Sequence, residues 1–228
     1  MQYIIQIDIK MKQVKILFTA TILFFFMGVS SSQAQGNEDT NRARIGIKGG
    51  VNFSALYTKD ADKSKMQTGF NLGLFGKLPI TNYLAIQPEL YFTTKGAEVT
   101  YNDVFVDGTA EFKLNYVELP LMIVVNISDN FNFQVGPYAA LLVSGKVKNG
   151  SNINLFDFEE NINPEDYNKL DAGVAAGAGI DIGAVSIGAR YNVGLTTVGK
   201  ERTFLGTPYT FPNAKNSVLN FYIALGLN

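Results

Sequence analysis

From Asn41 onward, apolar residues recur at every second position, the spacing of a strand that keeps one face apolar. In residues 44–54, Ile45, Ile47, Val51 and Phe53 share one face, while Arg44, Lys48, Asn52 and Ser54 share the other. The next run, 69–78, sets Phe70, Leu72, Leu74 and Leu78 against Asn71, Phe75 and Lys77. In the third, Leu84, Ile86, Leu90 and Phe92 alternate with Gln87, Glu89, Tyr91 and Thr93, and the strand is read as running to about Lys95. Val117, Leu119, Leu121, Ile123 and Val125 oppose Tyr116, Glu118 and Met122 in the fourth run. Phe131, Phe133, Val135, Leu141 and Val143 oppose Asn132, Gln134, Tyr138, Ser144 and Lys146 in the fifth. The sixth is rich in Gly and Ala, with Leu170, Val174, Ile180 and Ile182 opposite Asp171, Gly173, Gly177, Gly179 and Asp181. Val185, Ile187, Tyr191, Val193 and Leu195 oppose Ser186, Gly188, Arg190 and Asn192 in the seventh, and Leu219, Phe221, Ile223, Leu225 and Leu227 oppose Asn220, Tyr222 and Gly226 in the last. Each run is about ten residues, the length a tilted strand needs to cross a bilayer.

The connections alternate in length. Residues 79–83, 126–130 and the turn at Gly183 are short, whereas 55–68, 96–111, 147–168 and 196–216 are long. Outer-membrane barrels have short periplasmic turns and long external loops. The expected fold is therefore all-β, an eight-stranded antiparallel up-and-down transmembrane β-barrel with both termini in the periplasm and four loops outside. A soluble barrel would point its apolar residues inward and its charges outward. Here the polar faces hold Arg44, Lys48, Lys77, Glu89, Glu118, Asp171, Asp181 and Arg190, far fewer charges than a water-facing surface carries. Four positive and four negative groups suit a closed interior in which ions pair with one another. These eight are the candidate structural charge network, and no open pore is expected. Tyr83, Phe131, Phe133 and Tyr191 are read as lying near strand ends, where an aromatic girdle would sit.

Ahead of the barrel, the chain reads as an export signal. From Met11 come two lysines, an apolar run over 16–29, and small residues ending Ser32-Gln33-Ala34. This is the layout of a cleavable Sec-type signal peptide, and the apolar run is shorter than a spanning helix requires. The expected organisation is a signal peptide at 1–34, helical in the precursor, a short periplasmic segment at 35–43 and a barrel domain at 44–228. Residues 1–10 precede a methionine that begins a complete leader, which suggests that translation starts at Met11.

Composition narrows the chemistry. The chain has no Cys and no His, which removes disulfides, a lipoprotein anchor, His or Cys zinc sites, and triads that need an imidazole base. A formal net charge of -1, with no cluster of Lys and Arg, argues against a nucleic-acid partner. The acidic residues Asp157, Glu159, Glu160, Glu165 and Asp166 in the third long loop could ligate Ca²⁺ through oxygen, although their spacing is not that of an EF-hand and a solvated acidic loop is the better reading. The glycine-rich stretch 173–179 leads into a turn and another strand, so it lacks the helix N-terminus of a phosphate loop.

Five segments together resemble the PorT-like outer-membrane β-barrel family of the Bacteroidetes: GIKGGVNF at 46–53, IQPELYFTTKG at 86–96, LNYVELPL at 114–121, GPYAALL at 136–142 and GARYNVGL at 188–195. The resemblance extends over nearly all of the chain after the leader. It implies outer-membrane location, eight strands and no enzymatic activity. One member is associated with type IX secretion, and a role in protein secretion stands as an alternative that is not carried over. The ending Leu227-Asn228 departs from the aromatic terminus common in outer-membrane barrels.

The expected function is that of a non-enzymatic barrel without cofactor, surrounded by outer-membrane lipid and meeting a protein or ligand partner through its external loops. The alternatives are a small-ligand or lipid-binding barrel, an outer-membrane lipid-modifying enzyme, or a soluble periplasmic binding barrel. The first two require a cavity with converging polar groups, and the third would not need detergent for extraction.

Overall fold

The computed structural model describes residues 43–58, 64–102, 107–151, 158–161, 168–199, 201–204, 207–210 and 214–227. The chain divides into two units, Met1–Ala43 and Arg44–Asn228. The signal peptide and nearly all of the segment that follows it lie outside the described residues.

Among the described residues, eleven strands follow in order: β1 Arg44–Thr58, β2 Ser64–Pro79, β3 Leu84–Asn102, β4 Asp107–Asn126, β5 Phe131–Ser151, β6 Phe158–Asn161, β7 Leu170–Ile182, β8 Val185–Thr197, β9 Glu201–Phe204, β10 Thr207–Thr210 and β11 Ala214–Gly226. Each of the eight long strands pairs antiparallel with its neighbours, and β11 returns to β1 while β4 joins β5, so the sheet closes on itself. Closure is what removes unpaired strand edges, which hydrocarbon cannot hydrate. Strand β6 pairs with β5 only along Lys146–Asn149, beyond the stretch of β5 that β7 occupies. Strands β9 and β10 form a separate hairpin.

The period-two pattern resolves into an inside and an outside. Lys48, Asn52 and Ser54 of β1 are buried, whereas Ile47, Val51 and Phe53 between them are exposed. The same inversion holds around the ring, with Leu72 61% exposed and Ile223 60% exposed while Glu89, Glu118 and Arg190 are buried. A continuous apolar exterior of this kind is tolerable only in lipid.

The short connections fall where the sequence places them, and Gly183 turns β7 into β8 with φ 61°, a conformation that a Cβ would strain. The long connections need correction, because strands occupy much of them. Residues 96–102 and 107–111 continue β3 and β4 in register as far as Asn102 opposite Asp107, and β5 runs on to Ser151. The eight long strands are 13 to 21 residues long, not about ten. On the side formed by β3, β4 and β5 the sheet thus extends well past the length that crosses a bilayer.

Irregularities re-aim side chains. Asn115 pairs with Ser144 while Tyr116 pairs with Leu142, leaving Val143 as an extra residue in β5. The bulge reverses the alternation beyond it. Ser144 and Lys146, which strict alternation assigns to the inner face, are therefore exposed, whereas Leu142, before the bulge, stays buried in phase with Tyr138 and Ala140. Buried Thr94 donates from Oγ1 to Asn115 Oδ1 at 2.9 Å, and half-buried Asn115 donates from Nδ2 to the exposed Ser144 Oγ at 3.0 Å. This polar row across β3, β4 and β5 ends the apolar band at the loop end.

The aromatic side chains fit a girdle only in part. Tyr83 is exposed in the turn between β2 and β3, and Phe131 meets Phe133 edge-on at 5.0 Å at the start of β5. Tyr191 is instead midway along β8, where its hydroxyl is 2.6 Å from Ser217 Oγ. That contact satisfies a polar group which hydrocarbon would leave bare.

Candidate functional site: the charged lumen

Alternation puts the inward residues of all eight strands into one narrow lumen, and closure decides which of them meet. At its centre Glu89 of β3 serves two cations. Lys48 of β1 donates to Glu89 Oε1 at 3.0 Å, and Arg190 of β8 clamps both carboxylate oxygens, with Nη2 2.9 Å from Oε1 and Nη1 on Oε2. Gln87 Nε2 adds a donor to Oε1 at 2.5 Å. The bidentate fork is the strongest form of such a pair. Arg190 also donates to Gln134 Oε1 at 2.6 Å, and Gln134 Nε2 donates to the Tyr222 hydroxyl at 2.9 Å. Lys48 Nζ sits 3.7 Å from the centroid of the Tyr222 ring, within cation–π range.

Toward the loop end the ratio inverts, with one cation between two carboxylates. Lys95 Nζ lies 2.6 Å from Glu118 Oε2 and 2.8 Å from Asp171 Oδ2, and 4.5 Å from the centre of the Tyr138 ring. Asn192 Nδ2 donates to Glu118 at 3.2 Å and Asn216 Nδ2 to Asp171 at 3.0 Å. Toward the short turns, Lys77 Nζ is 3.0 Å from Asp181 Oδ2, which also accepts from Asn132 at 3.1 Å, while Ser186 donates to Oδ1 at 2.5 Å. Arg44 is half-buried beside this pair, and its Nη1 donates to the Gly183 carbonyl at 3.3 Å.

Glycines make room for these side chains. A Cβ at Gly173 would stand 2.7 Å from a Tyr138 ring carbon, and one at Gly179 would stand 2.7 Å from the Tyr222 hydroxyl. Tyrosine rings thus fill space that the neighbouring strands leave empty, as a barrel of this size requires.

All eight charges singled out from the sequence lie on the lumen side, in three groups. Lys95 was missing from that set, although it follows Glu89, Tyr91 and Thr93 at the same period and is buried at 1% exposure. With Lys95 included, the described interior holds five cations and four carboxylates, so the expected balance of four against four is corrected. Of the acidic-loop candidates, Asp157, Glu165 and Asp166 lie outside the described residues. Glu159 and Glu160 fall on β6, opposite Lys148 and Val147 of β5.

The sequence over residues 33–199 matches the family described as outer membrane protein beta-barrel domain. The chain belongs to that family. It is therefore an outer-membrane β-barrel. Among solved structures, it is similar to Ail, the attachment invasion locus protein of Yersinia pestis, crystallised with the heparin analogue sucrose octasulfate, at 18% identity and TM-score 0.47, covering 82% of this chain and 99% of that one. It is also similar to Neisserial surface protein A, at 14% identity and TM-score 0.45, over 82% and 99%. The outer membrane protease OmpT of Escherichia coli is similar at 9% identity and TM-score 0.37, over 85% and 99%. Among curated proteins, none matches this sequence.

Proposed function

We propose that this family member is a plugged, non-enzymatic barrel that holds its loop-end strands and loops out as an interaction surface, with both termini on the periplasmic side. The observation that carries the reading is the lumen. Glu89, Arg190 and Lys48 close its middle, and Lys95, Glu118 and Asp171 close it again toward the loops. A cavity at the turn end encloses only ≈ 20 Å³, far below the roughly 300–1,000 Å³ of a small-molecule pocket. What such a scaffold offers is its rim, where β3, β4 and β5 continue past the apolar band and present varied polar residues.

Two measurements test this reading. In planar bilayers the folded protein gives no stepwise conductance, and a steady open channel would refute the plug. Because the chain lacks cysteine, a single Lys113→Cys variant can be labelled with an impermeant maleimide on intact cells. Labelling there, and not at Ile80→Cys in the first short turn, is the outcome expected for loops outside and termini inside.

A further inference from the structure

The wall of the barrel is not equally well joined all round. Where the first long strand meets the last, β1 pairs with β11 without a break from Gly46 to Thr58. Between β2 and β3 the register lapses, and residues 67–70 of β2 face only Thr94, Lys95 and Gly96 of β3. Pairs are missing again at Gly76 and Lys77, opposite Gln87 and Pro88, and proline has no N–H to give a ladder. Side chains of β1 bridge the first lapse. Ser54 Oγ accepts from the Gly96 amide at 2.9 Å and donates to the Gln67 carbonyl at 3.2 Å. Asn52 Nδ2 serves three acceptors with two hydrogens: Thr93 Oγ1 at 2.9 Å, the Thr94 carbonyl at 3.0 Å and the Phe70 carbonyl at 3.2 Å. The side-chain amide oxygens of Gln67 and Asn71, at the margins of the lapse, are shielded from solvent with no hydrogen-bond partner among the described residues. This stretch is therefore poorer in polar contacts than a regular ladder. On the lipid side the exposed rings of Phe70 and Phe92, 6.0 Å apart, cover it.

We propose that the wall is built to part between β2 and β3 at this level, with Ser54 and Asn52 as the latch that holds it shut beside the loop-end plug. Local opening is easiest where a strand has the fewest backbone bonds to its neighbour. Lys95, whose ammonium spans Glu118 and Asp171, lies within the lapse. On its other edge β3 stays joined to β4, with Lys95 opposite Leu114, so parting moves β3 away from β2 while β3 and β4 remain together. In the latched state two side chains of β1 seal the side of the lumen at Lys95. In the parted state water reaches the Lys95 ion pairs through the wall, and the closure toward the loops is loosened. The inference rests on the plugged reading of the lumen and adds a movable part to that plug.

The test is backbone amide hydrogen exchange, read by NMR on the full barrel in lipid nanodiscs. In wild type, the amides of 67–70 and 94–96 should exchange at least about tenfold faster than those of Val51 and Phe221 in the unbroken β1–β11 ladder. Ser54→Ala should speed both sides of the lapse about tenfold further and leave Val51 and Phe221 unchanged, whereas Ser54→Thr keeps the hydroxyl and should match wild type. Because the chain lacks cysteine, Leu72→Cys with Phe92→Cys, directly opposed next to the lapse, can be oxidised to a disulfide. That bond should return Ser54→Ala to the wild-type rate until it is reduced. Exchange in the wild-type lapse no faster than at Val51 and Phe221 would overturn the proposal, as would a Ser54→Ala effect confined to Gly96 or spread evenly over all strands. The wild-type comparison decides the matter should Ser54→Ala fail to fold. A steady channel in wild type refutes the plug and leaves the exchange pattern as it is, so the two failures are distinguishable.

Discussion

Replacing Glu89 by Gln is the sharpest single perturbation of this barrel. The substitution keeps the size and planarity of the side chain, so no cavity opens, but it withdraws the only carboxylate held by both Lys48 and Arg190. Removing one partner of a buried pair costs about 3–5 kcal/mol, because the other charge stays buried without compensation. Here two cations are left, so the upper part of that range is expected. At about 1.4 kcal/mol per factor of ten, the unfolding equilibrium should shift by about a thousand- to a few-thousand-fold. Urea unfolding of the protein in lipid vesicles, followed by tyrosine fluorescence and by the gel shift on boiling, measures this change. The double variant Lys48→Met with Glu89→Gln discards one stranded cation, and coupling between touching residues should return about 1–2 kcal/mol. A loss below about 1 kcal/mol for the single variant, together with additive behaviour in the double, would show that water compensates these charges and that the lumen is open to it.

Other substitutions probe separate parts of the structure. Lys95→Met strands Glu118 and Asp171 close together and should cost about 3–5 kcal/mol, with partial rescue by Asp171→Asn in the same unfolding assay. Gly173→Val drives a branched side chain into the Tyr138 ring and should cost about 1–3 kcal/mol from overpacking, whereas the conservative exchange Ile187→Val on the lipid-facing side should cost under about 1.5 kcal/mol. Ile223→Arg puts a charge within the apolar band and should lose about 2–4 kcal/mol, while Ser144→Arg, on the polar row at its edge, should lose at most about 1 kcal/mol. Equal losses at these last two positions would mean that the band has been placed wrongly.

The alternation of Arg44 to Ser54 and its seven counterparts, taken with the alternating connection lengths, assigns the eight long strands, their antiparallel order and the face of each of the eight charges in the interior set. Those properties follow from local geometry, since successive side chains of a strand point to opposite sides. The same rule extends to Lys95, two positions beyond Thr93, whose inward direction is carried by the period alone. It failed at Ser144 and Lys146 because the extra residue at Val143 reverses the faces, and nothing in the composition of that stretch distinguishes a bulge from a regular strand. The loop lengths were overestimated for a related reason. Polar residues past the apolar band, such as Lys113 and Asn115, lose the lipid-facing signal while the backbone keeps its pairing.

Period and composition alone settled that greasy residues line one side of every strand and that a handful of ions lines the other. Which ion meets which was decided only by closure of the sheet. Glu89 and Arg190 are 101 residues apart, and Lys95 and Asp171 are 76 apart, and each pair spans the lumen between strands that are not neighbours in the ring. A strand's pattern records what its own two faces touch, lipid or lumen, but the partner across a barrel depends on how all eight strands are staggered when the ring closes. That stagger also separates the excess of cations near the turns from the excess of carboxylates near the loops.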